Sequence, residues 1–297
     1  MKIVTDSSAD RIALGGVSIA TAPLKIITDE KEYLDDINLD VEDMVEALLK
    51  YSGKSSTSCP NPEDWLNSFG DEKEIICITI TAELSGSYNA ACIAKDIYEE
   101  KYPDRKVFVF NSLSTGPEMK LLIEKIAELY LNGNSFEDIC KEFSEYSKST
   151  ALIFMLESMR NLANNGRVSK LASKAAGILG IRAVGKASNK GDLELLDKCR
   201  GQDKAISSII KTMKELGYSG GKVRIANCLN QIGAQKLKEL ILTDFKNADI
   251  EIYSCGGLCS FYAEKGGLDI DNFSFQHDIV ANECFVLKSN RASVLAR

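Results

Sequence analysis

The stretch of residues 79–91 most constrains what this chain can fold into. It follows the apolar run 75–78, which is typical of a buried strand, and it leads into a helix-like pattern. Between them lies the polar turn 84–87, Leu-Ser-Gly-Ser. Ligands of open α/β sheets bind where strands end, and the N–H groups of a helix start attract anions. The turn therefore predicts either an anion site or a plain helix cap formed by Ser85 or Ser87.

Two more polar turns follow predicted strands. Residues 5–8 come after a short strand at 2–4, and residues 111–116 come after a strand at 107–110. Strand, polar turn and helix thus repeat three times, which favours a parallel sheet with helices on its faces. We expect the turns to gather along one edge of that sheet, with Asp6 bracing its neighbours.

The pattern changes beyond residue 149. The predicted elements there are a small-residue helix at 170–179, a hairpin of 182–186 and 193–198 around the turn 189–192, helices at 203–216 and 234–245, and strands at 222–227 and 250–253. The predicted fold class is therefore α/β with two domains: a parallel-sheet α/β domain at 1–149 and an α+β domain at 150–297. The cleft between them is the expected ligand site.

Charge and hydropathy exclude several classes of partner. The net charge is −7 and no basic run is present, which argues against nucleic acid. No run of eighteen apolar residues occurs, and the first residues lack the apolar core of a signal peptide. We therefore expect a cytoplasmic protein without stable membrane insertion, and we expect its nine cysteines to be reduced.

Catalytic and metal chemistry are poorly supported by the residues. Ser85 would need a base, and the one histidine, His277, lies in a tail without a visible tie to the sheet. No phosphate-binding glycine loop is present. Cys255 and Cys259 could begin an iron–sulfur motif, but Tyr262 occupies the position where another ligand is needed. We therefore predict no catalytic residue, no metal and no cofactor.

Several short motifs, in order and spacing, resemble the DegV family of bacterial fatty-acid-binding proteins over residues 2–268. They are Thr-Asp-Ser at 5–7, Thr-Ser-Cys-Pro-Asn-Pro at 57–62, Leu-Ser-Gly-Ser-Tyr at 84–88, Asn-Gly-Arg-Val at 165–168 and the basic stretch 198–205. This chain departs from the family pattern where Tyr262 replaces a histidine, Asn165 replaces a glycine, Asn111 replaces an aspartate, and Arg182 with Ala183 replaces Lys-Pro. The tail 271–297 matches no family segment.

The resemblance implies a function as well as the fold. A long-chain fatty acid would be the ligand, with its acyl tail buried in the second domain and its carboxylate held in the cleft. The residues implied to hold the carboxylate are Thr57, Ser58, Ser85, Gly86, Arg167 and Tyr262. The protein would have no catalysis of its own. It would present the acid to the catalytic subunit of a fatty acid kinase, which makes an acyl phosphate.

Each of these residues also has a structural interpretation. Thr57 could hydrogen-bond the proline turn, Arg167 could form a surface ion pair, and Tyr262 could be a core aromatic. Arg182 is expected to be structural or part of a partner surface. A second function class also stays open: a hydrolase or phosphoryl-transfer subunit that acts on another small lipid or carboxylate in the same cleft.

Overall fold

The computed structural model describes residues 1–168 and 180–272. Its strands are β1 (Lys2–Asp6), β2 (Ser18–Ala22), β3 (Lys25–Thr28), β4 (Glu32–Leu34), β5 (Ser55–Ser58), β6 (Glu74–Thr79), β7 (Lys106–Asn111), β8 (Ala151–Leu156), β9 (Ile181–Ala187), β10 (Leu193–Arg200), β11 (Gly221–Asn227), β12 (Ala248–Ser254) and β13 (Leu268–Asn272). Its α-helices are α1 (Val41–Lys50), α2 (Pro62–Phe69), α3 (Ser87–Lys101), α4 (Pro117–Leu131), α5 (Phe136–Tyr146), α6 (Arg160–Asn164), α7 (Gln202–Glu215), α8 (Gln231–Asp244) and α9 (Gly257–Ala263). Two 3-10 helices cover Ser7–Ala9 and Ser147–Ser149.

The predicted parallel sheet is confirmed. Its strands lie in the order β2-β1-β6-β7, and each neighbouring pair runs parallel. Strand β6 carries the apolar run 75–78 and is buried on both faces. Ile76 and Ile78 pack in the cluster that contains residues of α4 and α5, whereas Ile75 and Cys77 pack with α2 and α3. Side chains alternate along a strand, so a continuous apolar run fits a sheet covered by helices on both sides.

One of the three predicted strand–turn–helix units is wrong. After β1 the chain enters the 3-10 helix Ser7–Ala9, and it then returns as β2, parallel to β1. Residues 10–17 are too few for a crossover helix, since such a connection takes roughly a dozen residues. The other two units, β6 to α3 and β7 to α4, are present as predicted.

The part of the chain between β2 and β6 forms a small antiparallel sheet in the order β4-β3-β5. The segment predicted as one strand at 17–27 is divided into β2 and β3 around Pro23. The hydroxyl-rich segment before Pro60, which its prolines exclude from a helix, forms β5. In that strand Thr57 pairs with the buried Ile26 of β3. Pairing with β3 therefore fixes which hydroxyl groups of β5 face inward.

Two predicted helix starts are confirmed. The Asp40 side chain accepts a hydrogen bond of 3.0 Å from the backbone N–H of Asp43 and caps α1. Pro62 is the first residue of α2, and Asn61 caps that helix through the N–H groups of Glu63 and Asp64. These caps satisfy donors that a helix start leaves free.

The region after residue 150 forms a six-stranded sheet in the order β10-β9-β8-β13-β11-β12. The predicted hairpin is the antiparallel pair β9 and β10. The predicted helices and strands at 203–254 correspond to α7, β11, α8 and β12, within three residues at each end. Helix α9 and strand β13 were not predicted, although β13 lies between β8 and β11 inside the sheet.

The two faces of this sheet have different neighbours. One face packs against α7 and α8 through residues such as Ile206 and Leu237. The other contributes Phe154 to a core that also contains Ile26 and Met44 from the first part of the chain. The division into domains at 149/150 stays a prediction. The predicted helix at 170–179 and the tail from residue 273 onward lie outside the described residues. In the described ranges, no helix combines the length and apolarity needed to cross a bilayer.

Candidate ligand-binding site

The polar turns meet at the carboxyl edge of the parallel sheet, as predicted, and Asp6 joins two of them. Its carboxylate accepts hydrogen bonds from the backbone N–H of Ile80 (2.9 Å) and from the Ser87 hydroxyl (2.6 Å). Ser8 donates to the same side chain. Burial raises the pKa of Asp6, although these hydrogen bonds oppose the change. The expected bracing role of Asp6 is present in these contacts, and it fixes the start of α3.

The turn before α3 places its two serines differently. Ser87 is buried and donates to Asp6, so it is structural. The Ser85 hydroxyl accepts a hydrogen bond of 3.3 Å from the backbone N–H of Ser87, and Ser85 also lines a cavity. The N-cap of α3 is Gly86, so the alternative that Ser85 or Ser87 caps this helix is wrong. Gly86 lines the same cavity, and a Cβ at that position would lie 3.3 Å from the sulfur of Cys59. Ser85 therefore holds the turn before α3 and lines the cavity at the same time.

Strand β5 brings two residues to the lining of this cavity, Thr57 and Ser58. Side chains alternate along the strand, so Ser58 is exposed, and its hydroxyl donates to the backbone oxygen of Cys59 at 3.3 Å. Thr57 Oγ1 lies 2.7 Å from the phenol oxygen of Tyr262 on α9, and the two form a hydrogen bond. Burial raises the pKa of Tyr262, while the Thr57 hydrogen bond and the charge of Arg167 oppose this rise. The phenol therefore stays neutral at ordinary pH and can donate to a ligand or to Thr57.

Arg167 reaches the cavity from the turn after α6. Gly166 in that turn has φ of +72°, a conformation that glycine adopts without strain. The Arg167 side chain donates from Nε to the backbone oxygen of Leu84 at 3.2 Å and from Nη1 to that of Asn165. Among the described residues, no carboxylate pairs with this guanidinium. It thus places beside the turn that carries Ser85 a positive charge that no carboxylate in the ranges 1–168 and 180–272 neutralises.

Helix α9, which carries Tyr262, is held by two carboxylates that sequence reasoning missed. Asp10 accepts from the backbone N–H of Gly256 at 2.7 Å. Asp35 accepts from those of Gly257 and Leu258 at 2.7 and 2.9 Å. Burial raises the pKa of Asp10 to about 7 and also raises that of Asp35. Because these contacts join residues far apart in the chain, no local sequence pattern marked them.

The six predicted residues all line one cavity of about 310 Å³. The rest of its wall is mainly apolar and is supplied by Leu24, Cys59, Ile80, Leu84, Thr115, Leu152, Phe154, Leu156, Leu162, Leu193, Leu258, Cys259, Ala263 and Asp269. We call the six polar residues the rim (Thr57, Ser58, Ser85, Gly86, Arg167 and Tyr262). We call the sheet surface formed by Leu152, Phe154, Leu156 and Asp269 the floor. A polar rim above an apolar floor suits an amphiphile with an anionic head group.

The hydroxyl groups of the rim have partners within the protein. They are engaged with one another or with backbone groups, as Ser85 and Thr57 are. His277, the base considered from the sequence, lies outside the described residues. Within the described ranges, no group of three or more His, Cys, Asp or Glu side chains could hold a metal. Cys255 and Cys259 are buried, and burial raises their pKa well above the usual value, which keeps both thiols protonated.

Several lining residues were not predicted from the sequence. Leu152, Phe154 and Leu156 alternate along β8, but the whole of 151–156 is apolar, so the pattern could not show which face lines a cavity. Thr115 follows β7 in the third polar turn, which was a usable signal. No sequence signal marks Asp269 as a cavity residue, because an aspartate between two apolar residues is typical of an exposed strand face.

The chain is similar to known proteins over most of its length. The family model described as "Uncharacterised protein, DegV family" matches residues 1–270. A DegV domain-containing protein of Streptococcus pneumoniae strain R6 is 42% identical over 271 residues, which cover 90% of this chain and 96% of that protein.

Two solved structures share this fold. A DegV family protein from Eubacterium eligens, loaded with heptadecanoic acid, has a TM-score of 0.90 and 40% identity, covering 92% of this chain and 99% of that one. The fatty acid kinase (Fak) B3 protein of Streptococcus pneumoniae, loaded with linoleic acid, has a TM-score of 0.89 and 41% identity. That match covers 91% of this chain and 98% of the other.

Proposed function

The chain belongs to the DegV family, and from this premise we propose that it binds a long-chain fatty acid, with the carboxylate at the rim and the acyl tail in the cavity. One observation carries the proposal. Arg167 brings a guanidinium without a carboxylate partner among the described residues to the mouth of a cavity with an apolar floor. Similar proteins loaded with heptadecanoic and linoleic acid support it.

The rim residues divide the recognition of the carboxylate. Arg167 supplies the opposite charge, which makes hydrogen bonds stronger and shorter. The hydroxyl groups of Thr57 and Ser85 supply neutral donors, and Tyr262 orients Thr57 through their 2.7 Å hydrogen bond. Ser58 lines the cavity beside Thr57. Gly86 leaves room beside Ser85 at the start of α3. The neutral phenol at position 262 takes the place of the family histidine and adds no charge to the rim.

The acyl tail of the fatty acid supplies most of the binding affinity. Burying one methylene is worth about 0.8 kcal/mol, so about fifteen methylenes contribute roughly 12 kcal/mol before the costs of binding are subtracted. The carboxylate contacts add less, because each hydrogen bond nets about 0.5–1.5 kcal/mol. The floor therefore sets how tightly the acid binds, and the rim sets which end faces outward.

We further propose that the protein is a binding subunit without its own catalysis. It would present the exposed carboxylate to the catalytic subunit of a fatty acid kinase in the cytoplasm, and the product would be an acyl phosphate. The Fak B3 protein, at 41% identity, supports this role. The cavity takes residues from both sides of position 149, which fits a cleft between domains at 1–149 and 150–297.

Native mass spectrometry of the purified full-length chain tests the ligand. We expect a stoichiometric C14–C18 acid to copurify, and its mass identifies chain length and unsaturation. A cavity filled by a polar ligand, or a delipidated chain that does not take up such acids, would contradict the proposal.

Ser85→Ala tests the rim. Loss of this hydroxyl should lower fatty acid affinity by a factor of about ten or less, because it removes about 1 kcal/mol. Phosphate transfer, measured as acyl phosphate formed with a kinase catalytic subunit and ATP, should fall further, because the carboxylate loses its orientation. Ser207→Ala on the exposed surface of α7 is the matched control. Equal copurification and equal transfer in Ser85→Ala would refute the assignment of this residue.

A further inference from the structure

Strand β13 places an aspartate in the floor of the cavity. Leu268 and Ile270 point to the face that packs against α7 and α8. Side chains alternate along a strand, so Asp269 and Asp271 point to the opposite face. Asp269 is directly paired with Phe154 of β8, a floor residue, and it lines the cavity. A carboxyl group therefore lies in the surface that otherwise receives the acyl tail.

The two aspartates of β13 differ in how they are satisfied. Asp271 accepts a hydrogen bond of 3.1 Å from the backbone N–H of Ala151. Asp269 is only 8% exposed, and it has neither a hydrogen bond nor an ion pair in the ranges 1–168 and 180–272. A buried polar group without a partner is unfavourable by about 1–3 kcal/mol. Asp269 thus has hydrogen-bonding capacity directed into the cavity.

Its surroundings favour the uncharged form of this carboxyl group. Burial raises the pKa of Asp269 to about 7, and the negative charge of Asp10 acts in the same direction. A protonated carboxyl group donates one hydrogen bond and also accepts, whereas an ionised one only accepts. A ligand hydroxyl can donate and accept, so it suits both forms. A second carboxylate on the ligand would be disfavoured by the same burial that raises the pKa of Asp10 and Asp269, and an ammonium group would require the ionised form that burial disfavours.

Resting on the proposed function, we propose that Asp269 selects fatty acids that carry a hydroxyl group on the acyl chain. The hydroxyl would form a hydrogen bond with the Asp269 carboxyl group next to Phe154, while the rest of the tail packs on Leu152, Leu156 and the other apolar lining residues. An unsubstituted chain fills the same space but leaves Asp269 unpaired. The protein would then prefer a hydroxylated acid over its parent acid of equal length.

Competition binding on the delipidated full-length chain tests this. The probes are octadecanoic acid and its 9-, 10- and 12-hydroxy derivatives, each measured by displacement of one fluorescent fatty acid. In the wild type, at least one hydroxy isomer should bind about threefold to tenfold tighter than octadecanoic acid, which is the range for one hydrogen bond. The isomer with the largest gain reports how deep Asp269 lies along the chain.

Two substitutions at position 269 separate hydrogen bonding from shape. Asp269→Asn keeps a donor and an acceptor, so it should retain the preference. Asp269→Leu is similar in size but apolar, so it should reverse the preference and bind octadecanoic acid more tightly than the wild type does. Thermal unfolding of each variant checks that it folds. If Asp269→Leu does not fold, Asp269→Asn alone tests the inference.

The outcomes distinguish the two levels of the proposal. If octadecanoic acid binds but no hydroxy isomer binds more tightly, or if Asp269→Leu leaves the ratio unchanged, the inference about Asp269 is wrong while fatty acid binding stands. If none of the acids binds to the wild type, both the inference and the proposed function are wrong.

Discussion

The rim and the floor of the cavity are built in opposite ways. Rim residues come from a strand, two turns and helix α9. Their polar atoms bond to one another, as Thr57 does to Tyr262, or to the backbone, as Arg167 does to Leu84. Floor residues come from two neighbouring strands of one sheet and, apart from Asp269, offer only apolar surface. The difference indicates that the orientation of the ligand and its affinity can vary independently, because several separate elements determine the orientation and one sheet face determines the affinity.

The largest expected effect tests whether the floor is a distinct face. Phe154 and Ile153 are neighbours on β8, but Phe154 lines the cavity and Ile153 packs in the core beneath α7 and α8. Each change to alanine should lower the free energy of unfolding by about 2–5 kcal/mol, because both side chains are buried. Only Phe154→Ala should also weaken fatty acid binding. Urea unfolding and ligand titration of both variants measure this.

Ile153 is the matched control for Phe154 in that pair. The distinction between floor and core would fail if Ile153→Ala reduced fatty acid affinity as much as Phe154→Ala does.

An intermediate effect concerns the buried carboxyl groups. The pKa of Asp269, like that of Asp10, is raised to about 7 from an ordinary value of 3.8. Between about pH 4 and pH 7 the folded chain therefore retains protons that the unfolded chain has released. Their contribution to the free energy of unfolding is greatest at low pH and falls as pH rises through this window, by on the order of 4 kcal/mol for each.

Asp269→Asn should remove its part of this pH dependence. The measurement is chemical unfolding of the delipidated wild type and variant at a series of pH values from 4 to 8. The variant should gain stability relative to the wild type as pH increases. A constant difference between the two proteins across the range would show that Asp269 does not titrate as described.

The smallest effect concerns the charge of the rim. Arg167→Gln removes the guanidinium while keeping a donor, so fatty acid affinity should fall by about tenfold, the effect of one charge-assisted hydrogen bond on a partly exposed residue. Arg182→Gln is the control, because Arg182 is already paired with Glu157 at 2.9 Å. It should change affinity less than twofold. Isothermal titration with one acid measures both, and equal losses would remove the special role of Arg167.

The rim was predictable from the sequence because its signals are local. The strand–turn–helix pattern around Ser85 and the proline-rich segment after Thr57 each lie within a few consecutive residues, and the resemblance to a family joined them. Helix caps such as Asp40 were predictable for the same reason. The parallel sheet of the N-terminal part was predictable from its repeated units, except where residues 10–17 are too short for a helix.

The floor was not predictable because it depends on pairing between distant segments. The alternation Leu-Asp-Ile-Asp at 268–271 is the same in an exposed edge strand and in an internal one. Only the pairing of β13 with β8 and β11 decides that Asp269 is buried. The hydrogen bonds that hold the start of α9 likewise join distant residues. Asp10 and Gly256 are 246 positions apart, and Asp35 and Gly257 are 222 positions apart.

The position of β13 has a consequence for biosynthesis. Strands β8 and β11 are made before β13, but β13 lies between them. On the ribosome, the six-stranded sheet cannot close until residue 272 has emerged, and until then both neighbours present unpaired backbone edges to other chains. The parallel sheet, whose strands are complete by residue 111, has no such delay. We therefore expect the first half to fold during translation and the second half to fold after it, with chaperone dependence concentrated in the second.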